Sequence, residues 1–238
     1  MGRASAWASL AFEHLVAVLA PPHCAACDAP VSLLAVFCGA CAATVEHAPP
    51  SGHPPHRPDW ASRANDGEPA LSALVYGGAI AEGITRMKYG ARPDLARPFG
   101  DLLCRAADSH AELFASPRTV VVPVPLHAMR LAERGFNQSA LLGRRLARHV
   151  GVPLHALAVA RVRNTPRQVG LERAERMANV AGAFVVARPA AVKGRDVILV
   201  DDVCTTGATL RAVSSVLRDA GASSVAGAVV ARAAPGAA

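Results

Sequence analysis

Aromatic residues are scarce, at 4% of 238 residues. That weakens any reading of the chain as a platform on which successive nucleic-acid bases stack, because such surfaces are built from Phe, Tyr and Trp. Charge is thin as well: Asp, Glu, Lys and Arg make up 18%, against about 25% in an ordinary domain. Hydrophobic residues reach 52%, but much of the surplus is alanine, which speaks for helices rather than a membrane. No window holds the roughly 18 uninterrupted apolar residues of a spanning helix. The stretch from Ala4 to Ala20 comes nearest, and Glu13 and His14 interrupt it. No small-x-small cleavage site leads into a mature start before Pro21-Pro22, so an export signal is not expected. The expectation is a short amphipathic helix with Trp7, Leu10, Ala11, Leu15, Val18 and Leu19 on one side, in a soluble chain. Gly-x-x-x-x-Gly-Lys-Ser/Thr is absent too, which excludes a Walker P-loop.

What is there concentrates in residues 197–210. Val197-Ile198-Leu199-Val200 is a continuous apolar run, the pattern of a central parallel strand covered on both faces. Asp201 and Asp202 follow at the expected carboxyl end, the edge where ligands collect in open α/β sheets. Thr205, Thr206, Gly207, Ala208 and Thr209 then lead into Leu210, Val213, Leu217 and Ala220 at helical spacing, with Gly221 placed to stop the helix. Amides at a helix start lack partners within the helix and sit at its positive end. A phosphate there accepts several of them, and threonine hydroxyls add more. The carboxylates suit sugar hydroxyls or the neighbourhood of a magnesium ion. The combination reads as a sugar-phosphate site; the bland alternative is an ordinary strand–turn–helix with capping threonines.

Cys24-x2-Cys27, a gap of ten residues, and Cys38-x2-Cys41 form two metal knuckles. Four thiolates can close a tetrahedral structural zinc site with no open position. Two disulfides would use the same count, but paired Cys-x-x-Cys motifs without an export signal favour reduced thiols and metal. A metal substitutes for a core that about forty residues cannot build alone. His23 and His47 are nearby spare ligands and are expected to face solvent. Residues 1–47 are therefore read as N-terminal helix and zinc knuckle, 48–70 as a Pro-rich linker, and 71–238 as the main domain.

Net charge is +7. Between Arg118 and Val180 stand eleven arginines and three glutamates, enough alone to account for the excess. That fits a polyanionic small ligand and also nucleic acid. Leu71–Tyr76 reads as a strand, and Ile80, Ile84 and Met87 mark a helix reaching Lys88. Asp94 to about Leu113 is a second helix. Val120–Pro125 is a strand, and Leu126–Gln138 a loop carrying Arg130 and Arg134. Asn137 caps a helix with Leu142, Leu146 and Val150. Arg144, Arg145 and Arg148 are its solvated face. Strands at Leu157–Val162, Gly182–Val186 and Ser224–Val230 complete alternating β and α units, hence a parallel sheet. Arg163 to Arg173, broken by Pro and Gly, reads as a mobile loop long enough to fold over a site. Cys104 and Cys204 read as buried filler.

The 197–210 block resembles the phosphoribosyl diphosphate (PRPP) fingerprint of type I phosphoribosyltransferases. Pro-Val-Pro-Leu-His with Arg130, then Arg134-Gly-Phe-Asn-Gln138, is similar to the competence protein F (ComF) family. So are Thr165-x-x-Gln168, Arg176-x-x-Asn179 with Gly-Ala-Phe, and the cysteine knuckle. The resemblance covers nearly the whole chain outside residues 48–70. It implies a parallel α/β sheet flanked by helices, joined to a zinc module, in a cytoplasmic protein associated with uptake of transforming DNA. It also implies that Asp201 and Asp202 contact the ribose and that Thr205–Thr209 hold the 5′-phosphate. Arg130 and Arg134 lie where the superfamily's diphosphate loop does, and Arg173 and Arg176, with Arg167, are candidates to close over the magnesium-bound diphosphate. The long linker and Cys204 depart from the family pattern. No hood for an acceptor base is evident, and no N-terminal glutaminase nucleophile. Two readings stand: phosphoribosyl transfer to an unknown acceptor, or a non-catalytic module that binds single-stranded DNA or a motor protein.

Overall fold

The computed structural model describes residues 22–32, 35–48, 70–165 and 178–234. The expected N-terminal amphipathic helix, nearly all of the Pro-rich linker and most of the 163–173 loop lie outside the described residues.

Strands β1 (Leu71–Val75), β2 (Thr119–Pro123), β5 (Asp196–Cys204) and β6 (Ser224–Arg232) form one sheet in the order β1-β6-β5-β2, every pair parallel. β5 is central, and its nine residues explain the apolar run. Ile198 and Val200 pack on one face with Val121, Ala226 and Ala228. Val197 and Leu199 pack on the other with Val120, Val122, Val225 and Val229. A strand covered twice has no polar face to alternate with.

Four helices supply that cover. α2 (Gly78–Tyr89) contributes Ile80, Ile84 and Met87, α3 (Ala96–Asp108) Phe99 and Leu103, and α5 (Gln138–Val150) Leu142 and Leu146, all to the first face. α6 (Ala208–Asp219) covers the second with Leu210, Val213 and Leu217. These spacings are the i, i+3, i+4, i+7 stripe of core-facing helices. Arg145 on the expected solvated face of α5 pairs with Asp101 of α3 at 2.6 Å. Cys104 and Cys204 are buried, and burial pushes the Cys104 thiol up to about 11.

Three expectations are corrected. The 126–138 loop contains a helix, α4 (Ala128–Arg134), capped by the His127 ring accepting from the Met129 amide at 3.3 Å and ending at Gly135. Its Ala, Met, Leu and Glu residues are good helix formers, masked in the sequence by flanking Pro125 and Gly135. Next, β3 (Val159–Arg161) and β4 (Phe184–Val186) stay outside the parallel sheet and pair with each other, antiparallel. Val185 of β4 is 43% exposed, whereas Phe184 of β4 and Val159 of β3, on the opposite face of the ribbon, are buried. A strand wet on one face cannot sit in the interior of a doubly covered sheet. Finally, the long second helix divides into α3 between two short 3-10 turns, Pro93–Leu95 and Ala111–Phe114.

The cysteine module (with a short helix, α1, Gly39–Ala42) is docked on this domain. Ala25 joins the main core, and Phe37 lies 6.3 Å from Phe99, ring to ring. The segment after it runs beside β1, Val75 N–H donating to Glu46 O at 2.9 Å and Ala48 N–H to Ala73 O at 3.2 Å. Among the described residues no helix is long and apolar enough to cross a membrane.

Candidate functional site

β5 runs past its apolar run because β6 extends beside it: Asp201 is in register with Val229, and Cys204 with Arg232. The chain then bends through Thr205 and Thr206 into Gly207, the N-cap of α6. Gly207 has φ 72°, a left-handed conformation in which a Cβ costs about 1–2 kcal/mol. The cap position thus carries no side chain. Thr205 is exposed, Thr206 and Thr209 are half-buried, and Gly207 and Ala208 are buried.

The acid pair differs from its expected setting at an open strand end. Asp201 is 8% exposed and Asp202 2%. A buried carboxylate needs partners, and both have them. Ser139 donates its hydroxyl to Asp201 Oδ1 at 2.8 Å, and the Asp202 amide donates to the same oxygen at 2.9 Å. Asp202 Oδ1 accepts from the Val203 amide at 2.7 Å, and its Oδ2 lies 2.9 Å from Lys88 Nζ. Burial, then the neighbouring Asp202 charge, push the Asp201 carboxyl up to about 7, with Lys88 and Ser139 pulling the other way. Burial opposes charge on Lys88, but the Asp202 and Asp201 carboxylates outweigh it, and its pKa lies above the ordinary lysine value.

Lys88 and Ser139 were not foreseen as site residues. Each comes from a helix terminus. Lys88 stands in the last turn of α2, where a cation reads as ordinary dipole compensation. Ser139 opens α5. The Asn137 side chain caps that helix by accepting from the Ser139 amide at 3.0 Å, and donates to Val124 O at the end of β2, also at 3.0 Å.

Arg134, from α4, places its guanidinium 5.2 Å from the centre of the Tyr89 ring and donates to Gln138 Oε1. Arg130 donates to Thr165 O at 3.4 Å. A further unforeseen cation, Arg161 of β3, donates to Thr165 Oγ1 at 2.5 Å and lies 5.4 Å from the Phe184 ring. Burial first, then the charge of Arg130, lower its pKa, while Asp201 works against the shift. Lys88 of α2 therefore touches the acid pair and Arg161 of β3 interacts with Asp201, while Arg130 of α4 stands beside Arg161 and Arg134 of the same helix beside Tyr89, the residue after Lys88. Arg173 and Arg176, with Arg167 and Gln168, lie outside the described residues.

In the cysteine module the Sγ atoms of Cys24, Cys27, Cys38 and Cys41 all lie within 4.8 Å of one another. No disulfide joins them. Cys27 and Cys38 are 3.6 Å apart, Sγ to Sγ; thiolates about 2.3 Å from a tetrahedral zinc stand about 3.8 Å from each other, so the donor set fits that ion. Burial opposes ionisation of Cys24, yet the amides of Cys38, Cys27 and Ala26 prevail and hold its thiol down at about 6. Hydrogen bonds in which the Cys41 thiol donates to the Cys27 and Cys38 sulfurs favour its protonated form and push it up to about 12. His23 and His47 are exposed and outside the cluster.

Comparison with known proteins matches residues 137–237 to the phosphoribosyl transferase domain. The chain is 41% identical over 102 residues to competence protein F of Haemophilus influenzae, a match spanning 42% of this chain and 44% of that protein. It is 31% identical over 193 residues to the DNA utilization protein YhgH of Salmonella typhi, covering 74% of this chain and 78% of that protein. Among solved structures, the allosteric regulatory enzyme of purine biosynthesis aligns with a TM-score of 0.42 at 24% identity, over 61% of this chain and 29% of that one.

Proposed function

This chain belongs to the competence protein F family, and from that premise we propose that it binds PRPP at the β5–α6 junction and transfers the phosphoribosyl group to an acceptor. One observation carries the reading: the adjoining acids of β5 run directly into the glycine-capped start of α6, with Lys88 of α2 on Asp202 and Arg161 of β3 interacting with Asp201. The 5′-phosphate takes the amides and hydroxyls of Thr205–Thr209. Asp201 and Asp202 accept from the ribose hydroxyls, exchanging part of their bonding to Ser139 and Lys88. Lys88, Arg130 and Arg134 face the diphosphate, and Arg173 and Arg176 are further PRPP-binding candidates.

In the transfer, the bond between the anomeric carbon and the diphosphate oxygen breaks, the electron pair leaving with diphosphate, and the acceptor's lone pair forms the new bond. Positive charge develops on the ribose ring, and fixed cations around the leaving group stabilise its departure. The carboxylates of Asp201 and Asp202 offer the hard oxygen donors that magnesium prefers, and a magnesium ion bound with the diphosphate would neutralise part of the leaving group's charge. The cysteine module holds a structural zinc ion. The names of the relatives place them in competence and DNA utilization, and we assign this protein a cytoplasmic role in handling incoming DNA.

Calorimetry with PRPP and magnesium on the native protein and on Asp202→Ala tests the ligand: tight binding by the first and weak binding by the second is expected. Equal weak binding by both would sink the assignment. A non-catalytic reading, in which basic residues hold single-stranded DNA, is favoured by the eleven arginines between Arg118 and Val180. Salt-dependent oligonucleotide binding without PRPP binding would select it.

A further inference from the structure

α2 lies between the cysteine module and the acid pair and touches both. At its start, the Ala79 amide donates to the Thr44 side chain of the module at 3.1 Å. Midway, Gly83 makes room for two neighbours: a Cβ there would meet Phe99 Cζ of α3 at 2.8 Å and Ala25 Cβ of the module at 3.4 Å. Near its end, Arg86 donates to Ala26 O at 2.9 Å and pairs with Asp28, the residue directly after Cys27. Arg92, just beyond the helix, pairs with the other oxygen of Asp28 at 2.8 Å. Asp28 itself has φ 61°, a turn conformation held by the knuckle around it. Two residues past Arg86 the same helix delivers Lys88 to Asp202, and one further on delivers Tyr89 to Arg134.

We propose that the metal-loaded cysteine module is a positioning element for the acid-pair site: it clamps α2 through Thr44, Ala25, Ala26 and Asp28, and so holds Lys88 on Asp202. Without metal, four thiols cannot keep the turn at Asp28 in place. The clamp on Arg86 and Arg92 then slackens, the last turn of α2 frays, and Lys88 and Tyr89 leave their partners. Zinc and the sugar-phosphate site are thereby thermodynamically linked, each favouring the other. The effect on PRPP rests on the proposed function; the effect on Lys88 does not.

The sequence offers a clean probe, because its only lysines are Lys88 and Lys193. Lys193 is exposed and serves as internal reference. The full chain is acetylated with a limiting amine-reactive ester, with and without zinc, and the two sites are quantified by peptide mass spectrometry. Zinc content and circular dichroism are followed in parallel. Zinc removal is expected to raise the Lys88-to-Lys193 ratio severalfold and to weaken PRPP binding about tenfold. Asp28→Asn keeps all four cysteines and tolerates the left-handed backbone; it is expected to retain zinc and still raise the ratio. A folded, zinc-free protein whose ratio is unchanged overturns the proposal. Should the zinc-free chain unfold, an unchanged ratio in zinc-loaded Asp28→Asn overturns it instead. Failure of the native protein to bind PRPP would refute the proposed function while leaving the Lys88 measurement decisive for the clamp.

Discussion

Replacing Lys88 by methionine keeps much of the side-chain volume but deletes the ammonium 2.9 Å from Asp202. The Asp202 side chain is only 3% exposed, so water cannot substitute. Breaking a buried ion pair from one side costs about 3–5 kcal/mol. The Lys88 side chain is 22% exposed, which places the expected loss at the lower end. The loss should depend on pH in a definite direction. Burial and Asp202 already push Asp201 up to about 7, and Lys88 opposes that rise; without it the Asp201 carboxyl climbs further. An acid whose folded pKa is raised stabilises the fold fully below its unfolded value. That contribution is lost as pH rises through the folded value, because the unfolded chain gives up the proton first. In Lys88→Met the penalty carried by Asp201 should therefore be small near pH 5, where that carboxyl stays protonated in both folded proteins, and grow as pH rises through about 7 and beyond. Urea unfolding of both proteins across that range measures it. Adding Asp202→Asn to Lys88→Met should restore most of the stability at the upper end. A penalty that is flat with pH, or none at all near pH 8, would refute the buried-pair reasoning.

Three other outcomes are expected. Ser139→Ala removes a hydroxyl that lowers the Asp201 pKa, so carboxyl carbon chemical shifts should show Asp201 titrating above its native midpoint; an unchanged midpoint would contradict the bond. Gly207→Ala should cost about 1–2 kcal/mol in unfolding experiments, from the Cβ forced into a left-handed position, and should abolish PRPP binding. Native mass spectrometry should find one zinc per chain, absent in Cys24→Ser, whose melting temperature should also fall.

What the sequence made legible was local. The apolar run 197–200, the stripes at Ile80, Ile84 and Met87 and at Leu210, Val213 and Leu217, and the paired cysteines each carry their meaning within a few residues. The family resemblance placed the acids and the threonine loop in one block. What stayed hidden came from tertiary contact. Ser139 reaches Asp201 across 62 positions, and nothing around either residue announces the other. Lys88 looked like a helix-end cation and Arg161 like part of a strand, because charge pairing inside a core leaves no periodic trace. α4 was hidden because seven residues between a proline and a glycine are too few for a helical stripe to show. The burial of the acid pair was hidden for the same reason: Lys88 and Ser139, which make it tolerable, arrive from elsewhere in the chain.

The central claim is that a sugar phosphate docks at Thr205–Thr209 beside the two aspartates. Phosphorus NMR of PRPP with magnesium tests it most directly, since the 5′-phosphate resonance is distinct from those of the diphosphate. Stoichiometric native protein should shift or broaden the 5′-phosphate line, and Gly207→Ala should leave it unmoved. A PRPP spectrum indifferent to the native protein would contradict the claim.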